Sequence, residues 1–423
     1  GSKINDYLIK AVNPKQVLLT IKKIIDNKRL VSEKTSMAYQ QDFRRLGMTL
    51  NDKLNYEEWV DVYKKLVFWE LELEKLDDPQ MHEILTMQKS EANTQFSKFI
   101  EDHYLGWVNG KGTAPLLSND LLKKKVFPLI NSTTPVFFIL IDNLRYDQWR
   151  IINPLITELF RMDEEDTYSS ILPTATQYAR NAIFSGLMPL EMEKRFPGLW
   201  QNDDDEGGKN MYEGTFLADQ IKRSLRKDCK FSYNKILTYD DGKALNEQVN
   251  NLLQNEFNAI VYNFVDMLSH ARTDMQMIRE LANDDAAYRS LTLSWFEHSP
   301  LMDLLKKISQ KKVKLVITTD HGTIRVKNPS KVIGDRNTNT NLRYKQGRNL
   351  NYNAKEVFLI KNPHEAQLPK INISSNYIFA KEDKYFVYQN NYNQFVNYYN
   401  ETFQHGGISL EEMIIPIATY SSK

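Results

Sequence analysis

Apolar and polar positions along this chain follow two rhythms, and the change falls near Thr133. From about Ser32 to Trp107, apolar residues such as Trp59, Val62, Leu66, Trp69 and Leu73 recur three or four apart, with no strand-like alternation. That spacing gathers them on one helix face and predicts a small helical bundle. The first thirty residues predict a strand at Tyr7, Leu8 and Ile9. A helix opened by Asn13-Pro14 follows, with Val17, Leu18, Ile21, Ile24 and Ile25 at helical spacing. Val108 to Gly112 reads as a loop. After Thr133, short apolar runs alternate with helical patterns: Val136 to Ile141, Ala259 to Val265, Val313 to Ile317, Val357 to Ile360 and Ile414 to Ala418. Buried parallel strands covered by helices give that rhythm. The expected architecture is an α/β domain over 133–423 with a central, mostly parallel sheet. A helical bundle and linker over 31–132 and a short element over 1–30 precede it.

Composition narrows the function classes. A chain of 423 residues is too long for one ordinary core, which agrees with this division. Lys and Arg number 55 against 54 Asp and Glu, so no global field draws in nucleic acid or membrane, and an anionic substrate must be held by local charge. The single cysteine, Cys229, excludes an intrachain disulfide and fits a reducing cytosol. No apolar run approaches the roughly 18 residues of a membrane span, and the start has no signal-peptide pattern. A cytoplasmic protein without membrane insertion is expected. The acidic run Asp203 to Glu206 is expected to be an exposed loop.

The chemistry sits where apolar runs stop. Val136–Ile141 ends at Asp142, Ile260–Val265 at Asp266 with His270 four residues on, and Leu315–Thr319 at Asp320-His321-Gly322. Ligands in open α/β sheets gather outside the carboxyl ends of strands, so three strands deliver acidic and imidazole groups to one edge. Aspartate and neutral histidine suit zinc, and carboxylates also suit manganese. Two such ions can clamp the attacking and leaving oxygens of a phosphoryl transfer. Taken singly, each residue has a plainer reading. Asp142 fits a turn or helix N-cap, Asp266 and His270 a local hydrogen-bonded pair, and His405 in Gln404-His405-Gly406-Gly407 a loop histidine. The glycine of Asp320-His321-Gly322 is expected to let backbone approach a metal closely. His82, His103, His298 and His364 read as surface or packing residues.

Between the first two of these strands lies Leu172-Pro173-Thr174-Ala175-Thr176, leading into a helical stretch that reaches Ser185-Gly186. A hydroxyl there faces unpaired N–H groups and the positive end of the helix dipole, which suits a phosphoryl group. A nearby metal would activate it as a nucleophile. Thr174 and Thr176 both fit this position, and both also fit a simple N-cap.

The ordered set Asp142, Pro-Thr-x-Thr, Asp266-x-x-x-His270, Asp320-His321-Gly322 and His405-Gly406-Gly407 resembles the alkaline-phosphatase superfamily, and its PglZ branch most. The resemblance runs from about Thr133 to the C-terminus. It implies Thr176 as nucleophile, one divalent ion held by Asp142, Thr176, Asp320 and His321, and a second held by Asp266, His270 and His405. Zinc is the expected metal, with manganese the alternative. A threonine nucleophile resembles the phosphodiesterase members; sulfatases need a modified Cys or Ser, and Cys229 is far from this turn.

Asp6 to Lys10 followed by Val12-Asn13-Pro14 is similar to the last strand and helix of a response-regulator receiver, although Ala11 stands where receivers usually have Pro. Residues 1–30 then resemble a receiver remnant that lacks the phosphoacceptor Asp. Receiver, helical bundle and PglZ-like domain in this order resemble response regulators linked to type IX secretion. The partners this implies are a histidine kinase acting on the full-length protein, a sigma factor or the secretion machinery, and a second copy in a homodimer. The loop Asp335 to Asn349 carries Arg336, Arg343, Lys345 and Arg348, which with Asn143 beside Asp142 are the expected substrate contacts; the plainer reading is a solvated loop. The expected function is a phosphodiesterase acting on linear or cyclic oligonucleotides. The alternatives are a signalling or scaffold protein with a structural metal site, and a phosphomonoesterase or phosphomutase of the same superfamily.

Overall fold

The computed structural model describes residues 14–76, 78–202, 208–225, 228–334, 338–389 and 391–423. The expected strand at Tyr7 to Ile9, the acidic run Asp203 to Glu206 and Arg336 lie outside them. The chain divides into two compact units, Gly1–Ala92 and Asn93–Lys423.

The first unit is helical, as the 3.6-residue spacing predicts. It holds α1 (Pro14–Thr49), α2 (Tyr56–Leu73) and the start of α3 (Pro79–Val108). Asn55 opens α2: its side chain accepts from the Glu58 N–H while the Glu58 carboxylate accepts from the Asn55 N–H. Trp59, Val62, Leu66, Trp69 and Leu73 are all buried. Trp69 packs 5.3 Å from the Tyr39 ring and donates to Asp42 at 3.1 Å. α1 runs unbroken through residue 30.

The second unit is built on a six-stranded sheet. Its strands are β1 (Val136–Ile141), β2 (Phe160–Ser169), β3 (Phe231–Ile236), β4 (Phe257–Tyr262), β5 (Lys314–Thr318) and the C-terminal Ile414–Ser422, in the order β2, C-terminal strand, β5, β1, β4, β3. The four strands β5, β1, β4 and β3 are parallel, and the C-terminal strand runs antiparallel to both β5 and β2. Every residue of Val136-Phe137-Phe138-Ile139-Leu140-Ile141 is buried, as a strand covered on both faces requires. The pattern misses β2 and β3 because each lies at a sheet edge. β2 carries Arg161, Asp163, Glu164, Glu165 and Asp166, charges that keep an open edge from pairing with other chains. A smaller sheet of Tyr344–Gly347, Asn376–Ala380 and Val357–Ile360 sits beyond β5 in sequence. Its core includes Val332, Val357, Ile378, Ala380 and Phe386. No helix among the described residues is long and apolar enough to cross a membrane.

This order sets the site. β1 lies between β4 and β5, with Ile139 opposite both Ile260 and Ile317, so the C-terminal ends of three parallel neighbours open at one edge. Ile139→Ala, at the middle of that stack, is expected to cost about 2–5 kcal/mol in chemical denaturation. A loss below about 0.5 kcal/mol, the level of an exposed site, would contradict the central placement of β1.

Candidate metal centre and nucleophile turn

Each ligand candidate reaches the edge by a different local route. Asp142 directly follows β1, and its backbone N–H extends the ladder to the Tyr262 carbonyl at 2.8 Å. Asp320 and His321 come two and three residues after β5. Asp266 does not end a strand as the apolar run suggests. β4 stops at Tyr262, and Asp266 lies in the first turn of the helix Phe264–Asp274, where a carboxylate faces the positive end of the helix. His270 stands one turn later on that helix, its Nε2 3.6 Å from Asp266 Oδ2. His405 follows the short strand Phe403–Gln404.

These residues form two groups. Asp142, Asp320 and His321 are fully buried, with ligand atoms within 4.8 Å of one another; Asp266, His270 and His405 meet the same distance limit. The second group opens to solvent through His270, whose side chain is 70% exposed. The His321 and His405 rings stack at 4.3 Å and join the groups. His321 Nδ1 lies 3.0 Å from the Gly322 carbonyl and His405 Nδ1 3.2 Å from the Thr174 carbonyl. A carbonyl at Nδ1 fixes the proton there and leaves Nε2 free to bind a cation.

The structure separates the two threonines. Thr174 is fully buried; its hydroxyl donates to the Gly407 carbonyl at 2.8 Å and accepts from the Gly406 N–H at 3.1 Å. It ties the turn to the His405 loop and has no hydrogen left for chemistry. Thr176 is the first residue of α4 (Thr176–Ser185) and is partly exposed. Its Oγ1 lies 3.0 Å from His321 Nε2 and 3.4 Å from Asp142 Oδ1. The hydroxyl thus borders the first group and a helix N-terminus together.

Electrostatics asks for cations. Burial, followed by repulsion from Asp142, pushes the Asp266 and Asp320 carboxyls each up to about 6. Burial and the neighbouring histidines push His405 down, so it stays neutral, as a ligand must. Asp320 Oδ2 is buried with no hydrogen-bond partner, an expensive state for a carboxylate oxygen that a bound cation would relieve. Carboxylates, imidazoles and one hydroxyl form a donor set suited to zinc and, through its oxygens, to manganese.

Several expectations change. Gly322 is required by packing: a Cβ there would lie 1.9 Å from the Glu411 carbonyl oxygen, so the neighbour it admits is protein backbone. Arg343 is not a loop cation free for substrate. It is fully buried, pairs with both oxygens of Glu412 at 3.1 and 2.6 Å, and so braces the loop in which Glu412 also accepts from the Gly407 N–H. Lys345 is 1% exposed within the smaller sheet, donating to the Asn339 carbonyl at 2.9 Å over the Tyr388 ring. Both positions read as a basic loop in sequence because strand pairing and a distant carboxylate are invisible there. Arg348 is exposed. Asn143 adopts a left-handed backbone (φ 62°) that Asn tolerates, and its N–H donates to Asp320 Oδ1 at 3.2 Å. Its side chain is fully buried, with no opening toward a substrate.

The residues missed in sequence are Arg180 and Glu213. Arg180 Nη1 lies 2.5 Å from Asp142 Oδ2, and its Nε donates to Glu213. The one signal available was its place four residues after Thr176, which sets both on one helix face.

Residues 121–420 match the family described as the BREX system PglZ alkaline phosphatase-like domain, and residues 29–108 match the PorX response regulator linker domain. A comparison with curated proteins returned no match. Among solved structures, the murine ectonucleotide pyrophosphatase/phosphodiesterase 5 is 11% identical, with 67% of this chain and 88% of that one covered and a TM-score of 0.49. The phosphonoacetate hydrolase of Sinorhizobium meliloti, in complex with phosphonoformate, is 11% identical over 69% of this chain and 92% of that one, with a TM-score of 0.44. Neither structural likeness is strong enough to bear on the chemistry.

The raised carboxyls make a linked prediction. Both folded-state values exceed the ordinary 3.8, so the protonated forms favour the metal-free fold. That contribution is complete below about pH 3.8 and is lost as pH rises through about 6. A divalent cation needs the ionised forms, so zinc should raise the thermal midpoint little at about pH 5 and by several degrees at about pH 7.5. Equal shifts at both pH values would contradict the placement of these carboxylates around a cation.

Proposed function

The chain belongs to the PglZ alkaline phosphatase-like family, and on that footing we propose that it is a two-metal phosphodiesterase that hydrolyses linear or cyclic oligonucleotides through Thr176. Membership makes it a hydrolase of the alkaline-phosphatase-like class. The observation that carries the finer reading is the hydroxyl of Thr176, a partly exposed residue, within 3.4 Å of both His321 and Asp142.

Asp142, Asp320, His321 and the Thr176 oxygen would hold one divalent ion, and Asp266, His270 and His405 the other; zinc fits both donor sets and manganese is the alternative. The ions would lower the pKa of the threonine hydroxyl and neutralise charge on the phosphoryl oxygens. Thr176 Oγ then forms a bond to phosphorus as the ester oxygen leaves and takes up a proton. A water oxygen next displaces the threonine, restoring its hydroxyl and releasing the phosphate product. The N–H groups at the start of α4 would face the phosphoryl group throughout. Thr174, fixed between Gly406 and Gly407, keeps the nucleophile turn and His405 in register. Arg348, exposed at the end of the smaller sheet's first strand, is the remaining described candidate for the substrate backbone.

The linker match over residues 29–108 supports a response-regulator setting. In that setting the chain is an effector under the control of a histidine kinase, and it acts on type IX secretion through a sigma factor or the secretion machinery in a cytoplasmic homodimer. A second reading, a scaffold with a structural metal site, is favoured by α1, where Ile21, Ile25, Leu30, Val31 and Met37 are each at least 47% exposed. Apolar side chains in such number on one helix suit a partner.

Thr176→Val keeps the shape and removes the hydroxyl. Turnover of bis(p-nitrophenyl) phosphate should fall by about 1,000-fold or more, with metal content nearly unchanged. Full diesterase activity in this variant would rule out Thr176 as the nucleophile. No activity in the parent chain, with metal bound, would favour the scaffold.

A further inference from the structure

Arg180 places a permanent charge inside the site. It lies on α4 one turn after Thr176 and is 1% exposed. Its Nη1 is 2.5 Å from Asp142 Oδ2 and 3.9 Å from Asp320 Oδ2. On its other side Nε donates to Glu213 Oε1, and Glu213, also 1% exposed, accepts from the Tyr233 hydroxyl and lies 3.5 Å from Lys235 Nζ. A guanidinium does not lose its proton in a protein, so this charge is present at every working pH. It engages Asp142 through Oδ2 alone, and Oδ1 stays 3.4 Å from Thr176. The buried carboxylates of Asp142, Asp320 and Glu213 outnumber this one guanidinium, and the half-buried Lys235 ammonium reaches the cluster only at Glu213, so negative charge is left on the side of Asp142 and Asp320.

We infer that Arg180 is a positioning residue and the built-in counter-charge of the first metal group. Its fork fixes which oxygen of Asp142 faces the nucleophile. Its charge opposes an incoming cation and Glu213 moderates that opposition, so the pair sets how tightly the group holds its ion. This inference rests on the two-metal reading above.

The claim makes opposite predictions for the two members of the pair, which a purely structural brace does not. Zinc affinity is measured by chelator competition in the full chain, in a His270→Ala background that disables the second group. Arg180→Met should tighten zinc binding about tenfold and Glu213→Gln should weaken it about tenfold. Arg180→Lys keeps the charge and loses the fork. Its zinc affinity should stay within about threefold of the parent. With His270 restored, its kcat on bis(p-nitrophenyl) phosphate should fall more than about tenfold with little change in KM. Should Arg180→Met fail to fold, Glu213→Gln and Arg180→Lys still decide the matter. The inference is overturned if the Arg180→Met and Glu213→Gln affinities move in the same direction, if Glu213→Gln leaves affinity unchanged, or if Arg180→Lys retains the parent kcat. A parent chain that binds no zinc overturns the two-metal reading, and this inference with it.

Discussion

Repulsion among carboxylates held out of water is the constraint around which the second unit is organised. Asp142 and Asp320 are wholly buried, Asp266 keeps a side chain 17% exposed, and burial with repulsion from Asp142 lifts Asp266 and Asp320 to about 6. A fold gains nothing from such a cluster by itself. It becomes favourable only when positive charge is supplied. Arg180 supplies part of that charge from within, and the two His-containing groups leave room for the rest. The surrounding hydrogen bonds hold the cluster in shape. Leu144 N–H donates to Thr319 Oγ1, Ser170 Oγ donates to the Asp320 carbonyl, and Asn143 N–H donates to Asp320 itself.

The apolar sheet delivers these groups, and its legibility in sequence follows from burial. β1 lies in the middle of the sheet, must be apolar on both faces, and therefore stands out as Val136 to Ile141. Val357–Ile360 lies at an edge of the smaller sheet, yet it is found at its observed ends because three of its four residues are buried. β2 is half exposed at the edge and its run of acids hides it. β4 ends three residues before the apolar run does, because Phe264 and Val265 belong to the following helix; their side chains are as apolar as those of the strand. Hydrophobicity does not distinguish strand from helix, and a single polar Asn263 between Tyr262 and Phe264 is too weak a break to mark the junction.

The site divides along similar lines. Asp142, Asp266, His270, Asp320, His321 and His405 could be picked out because three apolar runs each stop at an Asp and because the whole set, in this order, resembles a known superfamily; the structure brings them into two groups. Spacing alone left Thr174 and Thr176 open and the resemblance favoured Thr176; in the structure the His405 loop, more than two hundred residues away, occupies the Thr174 hydroxyl and leaves that of Thr176 beside His321. The basic segment misled for the opposite reason. Arg343 and Lys345 look solvated in sequence, yet Glu412 and the smaller sheet bury them. Arg343 instead steadies the loop that carries His405. In the helical unit, the long α1 with its exposed apolar residues leaves room for regulation that the hydrolase site does not require.

Anomalous X-ray scattering at the zinc edge, from crystals of the zinc-loaded chain, tests the central claim most directly. Two peaks are expected, one among Asp142, Asp320, His321 and the Thr176 oxygen, the other among Asp266, His270 and His405. A fully loaded crystal with no peak at these side chains, or with Thr176 turned away from both, would contradict the account.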